Sequence, residues 1–192
     1  MFPLNLPNAL TLVRILLVPV LVVALTVETR GGSTIAAVVF VLAAVTDGLD
    51  GYIARSRHSV TTFGKVMDPV ADKLLIAAAL ISLVSLDRLA AWVAMVIIAR
   101  EFAVSGLRIA AGQQGLVIPA SMLGKLKTVA QVAAVLALIA APDQGAAWVE
   151  ALVYLMVAAT VLSGADYFLG FRRRLDEVSR ARAVHPERPE TP

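Results

Sequence analysis

The stretch Ile35-Ala36-Ala37-Val38-Val39-Phe40-Val41-Leu42-Ala43-Ala44-Val45-Thr46-Asp47-Gly48-Leu49-Asp50-Gly51-Tyr52-Ile53-Ala54-Arg55 decides how the chain is read. A charge-free run, 31–46, leads directly into two aspartates and an arginine on what reads as one helix, 33–57. A spanning helix needs about 20 residues. The charge-free run is shorter than that, so the aspartates fall at membrane depth near one end of the span. The same pattern recurs in the charge-free runs 15–27, 74–86, 89–99, 128–142 and 151–165.

Composition agrees with lipid as the surrounding solvent. Of 192 residues, 59% are hydrophobic and 16% charged, against about a quarter charged in an ordinary soluble domain. The length is that of one domain. With no cysteine, disulfides, thiolate metal sites, iron–sulfur clusters and cysteine nucleophiles are excluded. Histidine is confined to His58 and His185, so a metal would be held by carboxylates, which suits Mg²⁺ or Mn²⁺ rather than zinc. The first charge is Arg14. A cleavable signal peptide has its positive charge before the apolar core, so this segment reads as a first membrane helix, with Pro19 a candidate kink.

The expected fold is all-α: a polytopic membrane protein of six transmembrane helices, at 7–27, 33–57, 64–85, 89–110, 121–141 and 147–170. Breaks are marked by Arg30-Gly31-Gly32, His58 to Thr62, Asp87-Arg88, Gly112 to Pro119, and Pro142-Asp143-Gln144-Gly145. With the N-terminus cytoplasmic, Arg14, Asp68, Asp72, Lys73, Lys125 and Lys127 start outward helices. Asp47, Asp50, Arg55, Arg100, Glu101, Arg108 and Asp166 end inward ones. Of 17 Lys and Arg, Arg30 and Arg88 alone then face outside, as the positive-inside pattern requires. Trp92 and Trp148 fall at outer helix ends, in an aromatic belt.

Ionisable groups gathered in one layer imply a hydrated cavity open to the cytoplasm. For Lys127, Asp166 and Arg172 to Arg174 the favoured reading is that they snorkel to headgroups. Aspartate stems are too short for that. After Phe171 the chain turns polar, so 1–171 reads as the membrane domain and 172–192 as a basic, disordered cytoplasmic tail. No internal repeat is found, so an inverted-repeat transporter gains no support.

Asp47 and Asp50 are three apart; Asp68 and Asp72 are four apart. Each pair therefore shares a helix face, and a short turn returns the second helix beside the first. Four uncompensated carboxylates at membrane depth would repel and protonate. Two divalent cations neutralise them and stabilise the charge that builds in displacement at phosphorus. Gly48, Gly51 and Gly64 either admit a nucleotide or metal close to the backbone or pack helices. Asp68 before Pro69 has a simpler reading as a helix cap.

The segment from Asp47 to Asp72 resembles the signature of the CDP-alcohol phosphatidyltransferase family, Asp-x2-Asp-Gly-x2-Ala-Arg-x8-Gly-x3-Asp-x3-Asp, at every defined position and gap. The resemblance extends over residues 5–170 and carries six helices with it. It implies that Asp47, Asp50, Asp68 and Asp72 bind two Mg²⁺ ions (or Mn²⁺) and that Asp72 is the general base. It further implies that Gly51, Ala54 and Arg55, with Thr61, contact the CDP-lipid. Pro7-Asn8-Ala9-Leu10-Thr11-Leu12-Val13-Arg14 resembles the family's opening helix. Asn8, Thr11 and Arg14 then face the nucleotide; the competing reading is a helix cap plus an interfacial arginine.

Arg100-Glu101-Phe102-Ala103-Val104-Ser105-Gly106-Leu107-Arg108 and Gly124-Lys125-Leu126-Lys127-Thr128 look like the bacterial phosphatidylglycerophosphate synthases within that family. Their acceptor is sn-glycerol 3-phosphate, their lipid substrate CDP-diacylglycerol, and CMP leaves. An arriving phosphate needs cations of its own. Arg100 and Arg108 share a face, with Glu101 placed to hold one of them. Lys125 and Lys127 point in opposed directions, so only one, Lys125, is expected to reach the site. The resemblance also implies a homodimer in the bacterial cytoplasmic membrane, its site facing the cytoplasm, with no nucleic-acid partner. The rivals are the same chemistry with inositol phosphate, serine or phosphatidylglycerol as acceptor, and a transporter binding cations on intramembrane aspartates.

Asp47→Asn, Asp50→Asn, Asp68→Asn and Asp72→Asn are each expected to abolish CMP release from CDP-diacylglycerol while the protein still inserts in the membrane. Chelation should do the same, with Mg²⁺ or Mn²⁺ restoring turnover. Full activity of Asp68→Asn would reduce that aspartate to a helix cap.

Overall fold

The computed structural model describes residues 6–27, 32–57, 62–113, 121–141, 143 and 145–184. Within these, the side chains of residues 6–8, 32–33, 47–57, 62–69, 72, 177–179 and 181–184 lie outside the description. Six helices follow one another: α1 (Leu6–Thr26), α2 (Gly32–Arg57), α3 (Thr62–Ser85), α4 (Ala91–Gln113), α5 (Met122–Ala140) and α6 (Ala147–Val184). α1 runs through Pro19 as one helix.

The helix ends have local causes. Asp87 sits at φ 57 after α3, a left-handed conformation that aspartate tolerates better than most residues. The turn closes with Arg88 N–H donating to the Leu83 carbonyl at 2.9 Å and Asp87 N–H to Val84 at 3.1 Å, the paired bonds of a Schellman stop. α5 begins at Ser121, an extended N-cap whose Oγ accepts from Gly124 N–H at 3.2 Å. In the α5–α6 turn Asp143 Oδ1 accepts from Gly145 N–H at 3.0 Å.

α6 departs from expectation. The boundary expected at residue 171 falls inside this helix, which has 38 residues and runs on to Val184. The reading of 172–192 as a disordered tail therefore does not hold for 172–184; residues 185–192 lie outside the described set. Falling hydropathy ends a membrane span, but it does not end a helix. Arg172 to Leu175 are good helix formers, and Asp176 precedes Arg180 by the four residues that favour an ion pair.

α1 packs on α2 and α3, α5 on α6 and α2, and α4 on α6 and α3. Ala36, Phe40 and Ala43 of α2, Ala79, Leu80 and Leu83 of α3, Ile97 of α4 and Ala134 and Val135 of α5 are wholly buried. Small residues at these contacts let helices approach closely, which matters where lipid removes most of the hydrophobic drive for association.

Many large apolar side chains lie on the surface, and a few polar ones are buried among the apolar core. Leu16, Val23, Ile35, Leu42, Ile81 and Met95 are exposed, whereas Thr11, Arg14, Lys127, Gln131, Thr160 and Ser163 are buried. Among the described residues, three segments are long and apolar enough to cross a membrane: Ala9–Thr26, Met122–Ala140 and Ala147–Asp176. Thr34–Thr46 and Lys73–Ser85 are apolar but shorter. Charge at one end shortens the apolar part of α2 and α3, as the sequence implied.

Candidate active site

Two groups of residues make up the candidate site. The first is acidic. Asp47 and Asp50 lie on the helical backbone of α2, Asp68 and Asp72 on that of α3, so the spacings of three and four hold as helix-face spacings. Their side chains, and those of Asn8, Gly51, Ala54 and Arg55, lie outside the description, as does Thr61 altogether. α1, packed on both acidic helices, contributes Thr11 and Arg14, each 0% exposed and neither without a partner. The reading of Arg14 as an interfacial arginine fails on that burial. A guanidinium withdrawn from solvent belongs to a polar interior, since a buried charge is stable only when compensated.

The second group is basic. A cavity of about 300 Å³ lies where α4, α5 and α6 meet the middle of α3. Among the described residues, Arg100, Arg108, Lys125, Lys127 and Lys73 line it together with the carboxylate of Glu101. Ser121, the cap of α5, also lines it, which places the positive end of a helix dipole at the wall.

Glu101 organises the cations. Its Oε1 accepts from Arg100 Nη1 at 3.2 Å and from Lys127 Nζ. Arg100 Nη2 donates to Ser163 Oγ of α6 at 2.9 Å, and that hydroxyl donates to the Thr160 carbonyl at 3.1 Å. Arg100 lies flat over Gly164, where an added Cβ would stand 3.2 Å from Arg100 Cγ. Arg108 Nε donates to the Tyr167 hydroxyl at 2.7 Å, and its guanidinium carbon stands 5.3 Å from that ring's centroid.

Two expectations about these cations are corrected. Lys127 does not snorkel: it is 7% exposed and bound to Glu101. Nor does only one of the two lysines reach the site, since Lys125 and Lys127 both line the cavity. Their Cβ vectors diverge, but long stems and a cavity wrapped around the end of α5 bring both in. Asp166 and Arg172 to Arg174 are exposed, as snorkelling residues should be. Lys73, Ser121, Ser163 and Tyr167 were not singled out from sequence. Tyr167 is 59 residues from Arg108 and carried no local signal; Lys73 could have been found from its place beside Asp72.

Lys73 follows Asp72 directly and lines the basic cavity, so the acidic helix pair and the cation-lined space adjoin. A site with carboxylates on one side and cations on the other suits phosphoryl-group transfer. The sequence model of the CDP-alcohol phosphatidyltransferases matches residues 4–163. The chain belongs to the CDP-alcohol phosphatidyltransferase family. Proteins named CDP-diacylglycerol–glycerol-3-phosphate 3-phosphatidyltransferase are similar to it. That of Bacillus subtilis is 44% identical over 180 residues, covering 85% of this chain and 93% of its own. That of Rickettsia felis is 40% identical over 169 residues, with the same coverage, 85% and 93%. A chloroplastic and mitochondrial one from Arabidopsis thaliana is 38% identical over 182 residues, covering 85% of this chain and 62% of the plant protein.

In this member of the CDP-alcohol phosphatidyltransferase family, Glu101 and Lys127 form an ion pair with side chains 14% and 8% exposed. Removing one partner leaves an uncompensated charge at low dielectric, at a cost of about 3–5 kcal/mol. Glu101→Ala is expected to lower the thermal unfolding midpoint in detergent sharply. Lys127→Met in the same chain should recover much of the loss. Equal destabilisation in single and double variants would show that the pair does not act as a unit.

Proposed function

We propose that this chain, as a homodimer in the bacterial cytoplasmic membrane, transfers the phosphatidyl group of CDP-diacylglycerol to sn-glycerol 3-phosphate, giving phosphatidylglycerophosphate and CMP. The observation that carries this reading is that Lys73, next to Asp72, lines the cavity walled by Arg100, Arg108, Lys125 and Lys127. The names of the relatives support the acceptor.

Asp47, Asp50, Asp68 and Asp72 are the residues that would hold two Mg²⁺ ions, or Mn²⁺. The donor chemistry fits: four carboxylate side chains, no cysteine in the chain, and helical spacing that turns each pair to one side. Such ions neutralise diphosphate charge and stabilise the transition state of displacement at phosphorus. Gly51, Ala54 and Arg55, with Asn8, Thr11 and Thr61, form the CDP-lipid side. Arg108 and Lys125 hold the acceptor's phosphate. Arg100 and Lys127, both bound to Glu101, set the positive potential of the wall and position that carboxylate. Asp72 takes the proton from the 1-hydroxyl of glycerol 3-phosphate. That oxygen then bonds to the lipid-side phosphorus as the bond to CMP breaks, and CMP leaves with the electron pair.

All six helices span the membrane in this reading, with both termini cytoplasmic and the site facing the cytoplasm. The charge layer at one end, the apolar exposed faces and the interfacial positions of Trp92 and Trp148 support it. Inositol phosphate as acceptor shares the need for phosphate-binding cations; serine does not. An acceptor panel scored by lipid product separates these.

Arg108→Ala or Lys125→Ala should raise KM for glycerol 3-phosphate. A lost charge-assisted bond costs about 1.5–3 kcal/mol, roughly ten- to a hundredfold in affinity. KM for CDP-diacylglycerol should move far less, and Arg55→Ala should give the opposite pattern. Equal losses for both substrates in all three variants would remove the basis for an acceptor site on these cations.

Orientation is tested by cysteines in the cysteine-free chain. Those at Ser59 and Thr191 should react with impermeant reagents from the cytoplasmic side, and one at Gly32 from outside. Labelling of Ser59 from outside would overturn the topology.

A further inference from the structure

Beside the cation-lined cavity lies a smaller one of about 60 Å³, and Lys73, Glu101, Lys127 and Thr128 line both. Among the described residues the rest of its wall is apolar except for Gln131 of α5. Gln131 is 2% exposed, and its Nε2 has no hydrogen-bond partner among the described residues. A buried amide donor without a partner is destabilising, and an aliphatic side chain of that size would line the wall without leaving a donor unmet. The placement of a donor here makes sense if its partner arrives with a ligand.

The ligand's shape follows from α5. Lys125, Thr128 and Gln131 are spaced by three and form one ridge along the helix. Lys125 and Gln131 are separated by a rise of about 9 Å. A phosphate among Arg108 and Lys125 therefore leaves the carbon chain of a short acceptor pointing along this ridge toward Gln131. One water needs only about 10–15 Å³ of such space, so the small cavity has room for a hydroxyl-bearing carbon.

We propose that Gln131 is a specificity-determining residue, whose side-chain amide donates to the secondary hydroxyl of a three-carbon phosphate acceptor. The proposal rests on the acceptor reading above. That hydroxyl sits on the stereocentre of glycerol 3-phosphate, so a fixed donor in a closed pocket reads both the presence and the hand of the group.

The test compares glycerol 3-phosphate with 3-hydroxypropyl phosphate, which keeps the phosphate and the reacting hydroxyl but lacks the secondary one. The purified full chain is assayed in mixed micelles with CDP-diacylglycerol and Mg²⁺. Wild type should use the deoxy acceptor with kcat/KM roughly ten- to a hundredfold lower, the loss expected for one buried hydrogen bond. In Gln131→Met the value for glycerol 3-phosphate should fall to that of the analogue, with the analogue's value and the KM for CDP-diacylglycerol little changed. Gln131→Leu should behave alike and serves if the methionine variant does not fold. A wild-type ratio retained in either variant overturns the proposal and leaves the small cavity to water. So does a wild type that uses both acceptors equally, with no variant needed. Transfer to neither acceptor by wild type would instead sink the acceptor reading itself.

Discussion

The Glu101 carboxylate sits where three helices need a common anchor. From α4 it takes Arg100, from α5 Lys127, and through Arg100 it reaches Ser163 on α6. Neither lysine nor arginine would be stable so deep in the bundle without a compensating charge. The geometry of the basic cavity depends on this arrangement. Gly164 belongs to the same device, since Arg100 lies in the space a larger residue would fill.

With Arg100 and Lys127 committed to Glu101, the wall is charged but its cations are unequal. Arg108 rests on Tyr167 and Lys125 projects from the first turn of α5 beside the capped helix end. These two have charge to offer an incoming phosphate. The committed pair raises the potential around them without being drawn away, a division of labour that also limits rearrangement when an anion binds.

Lipid as solvent would account for the many large apolar side chains on the surface. Apolar residues face outward at little cost, so polar ones are concentrated between helices, where Thr11, Arg14, Lys127 and Gln131 are buried. Helix contacts accordingly use alanine, as at Ala36, Ala43, Ala79 and Ala134. α6 obeys a different limit. At 38 residues it is about 57 Å long by helical rise, well beyond the thickness of a hydrocarbon core of about 30 Å.

Much was legible in the sequence because it was local. Six helices, the break at Asp87-Arg88 and the spacing of the four aspartates all depend on neighbours within a turn or two, where propensity, capping and periodicity act. The family resemblance rests on the same short segment from Asp47 to Asp72. The end of α6 was misjudged because hydropathy reports the solvent around a helix and not its backbone. Apart from Arg100 with its chain neighbour Glu101, the partners of the cations were decided by tertiary structure. Lys127 with Glu101, Arg100 with Ser163 and Arg108 with Tyr167 are 26, 63 and 59 residues apart. Which charge a buried cation meets depends on how helices pack across that distance, and packing depends on volumes summed over whole faces. The small cavity beside Gln131 has the same origin: it exists only where α2, α3, α4 and α5 fail to close.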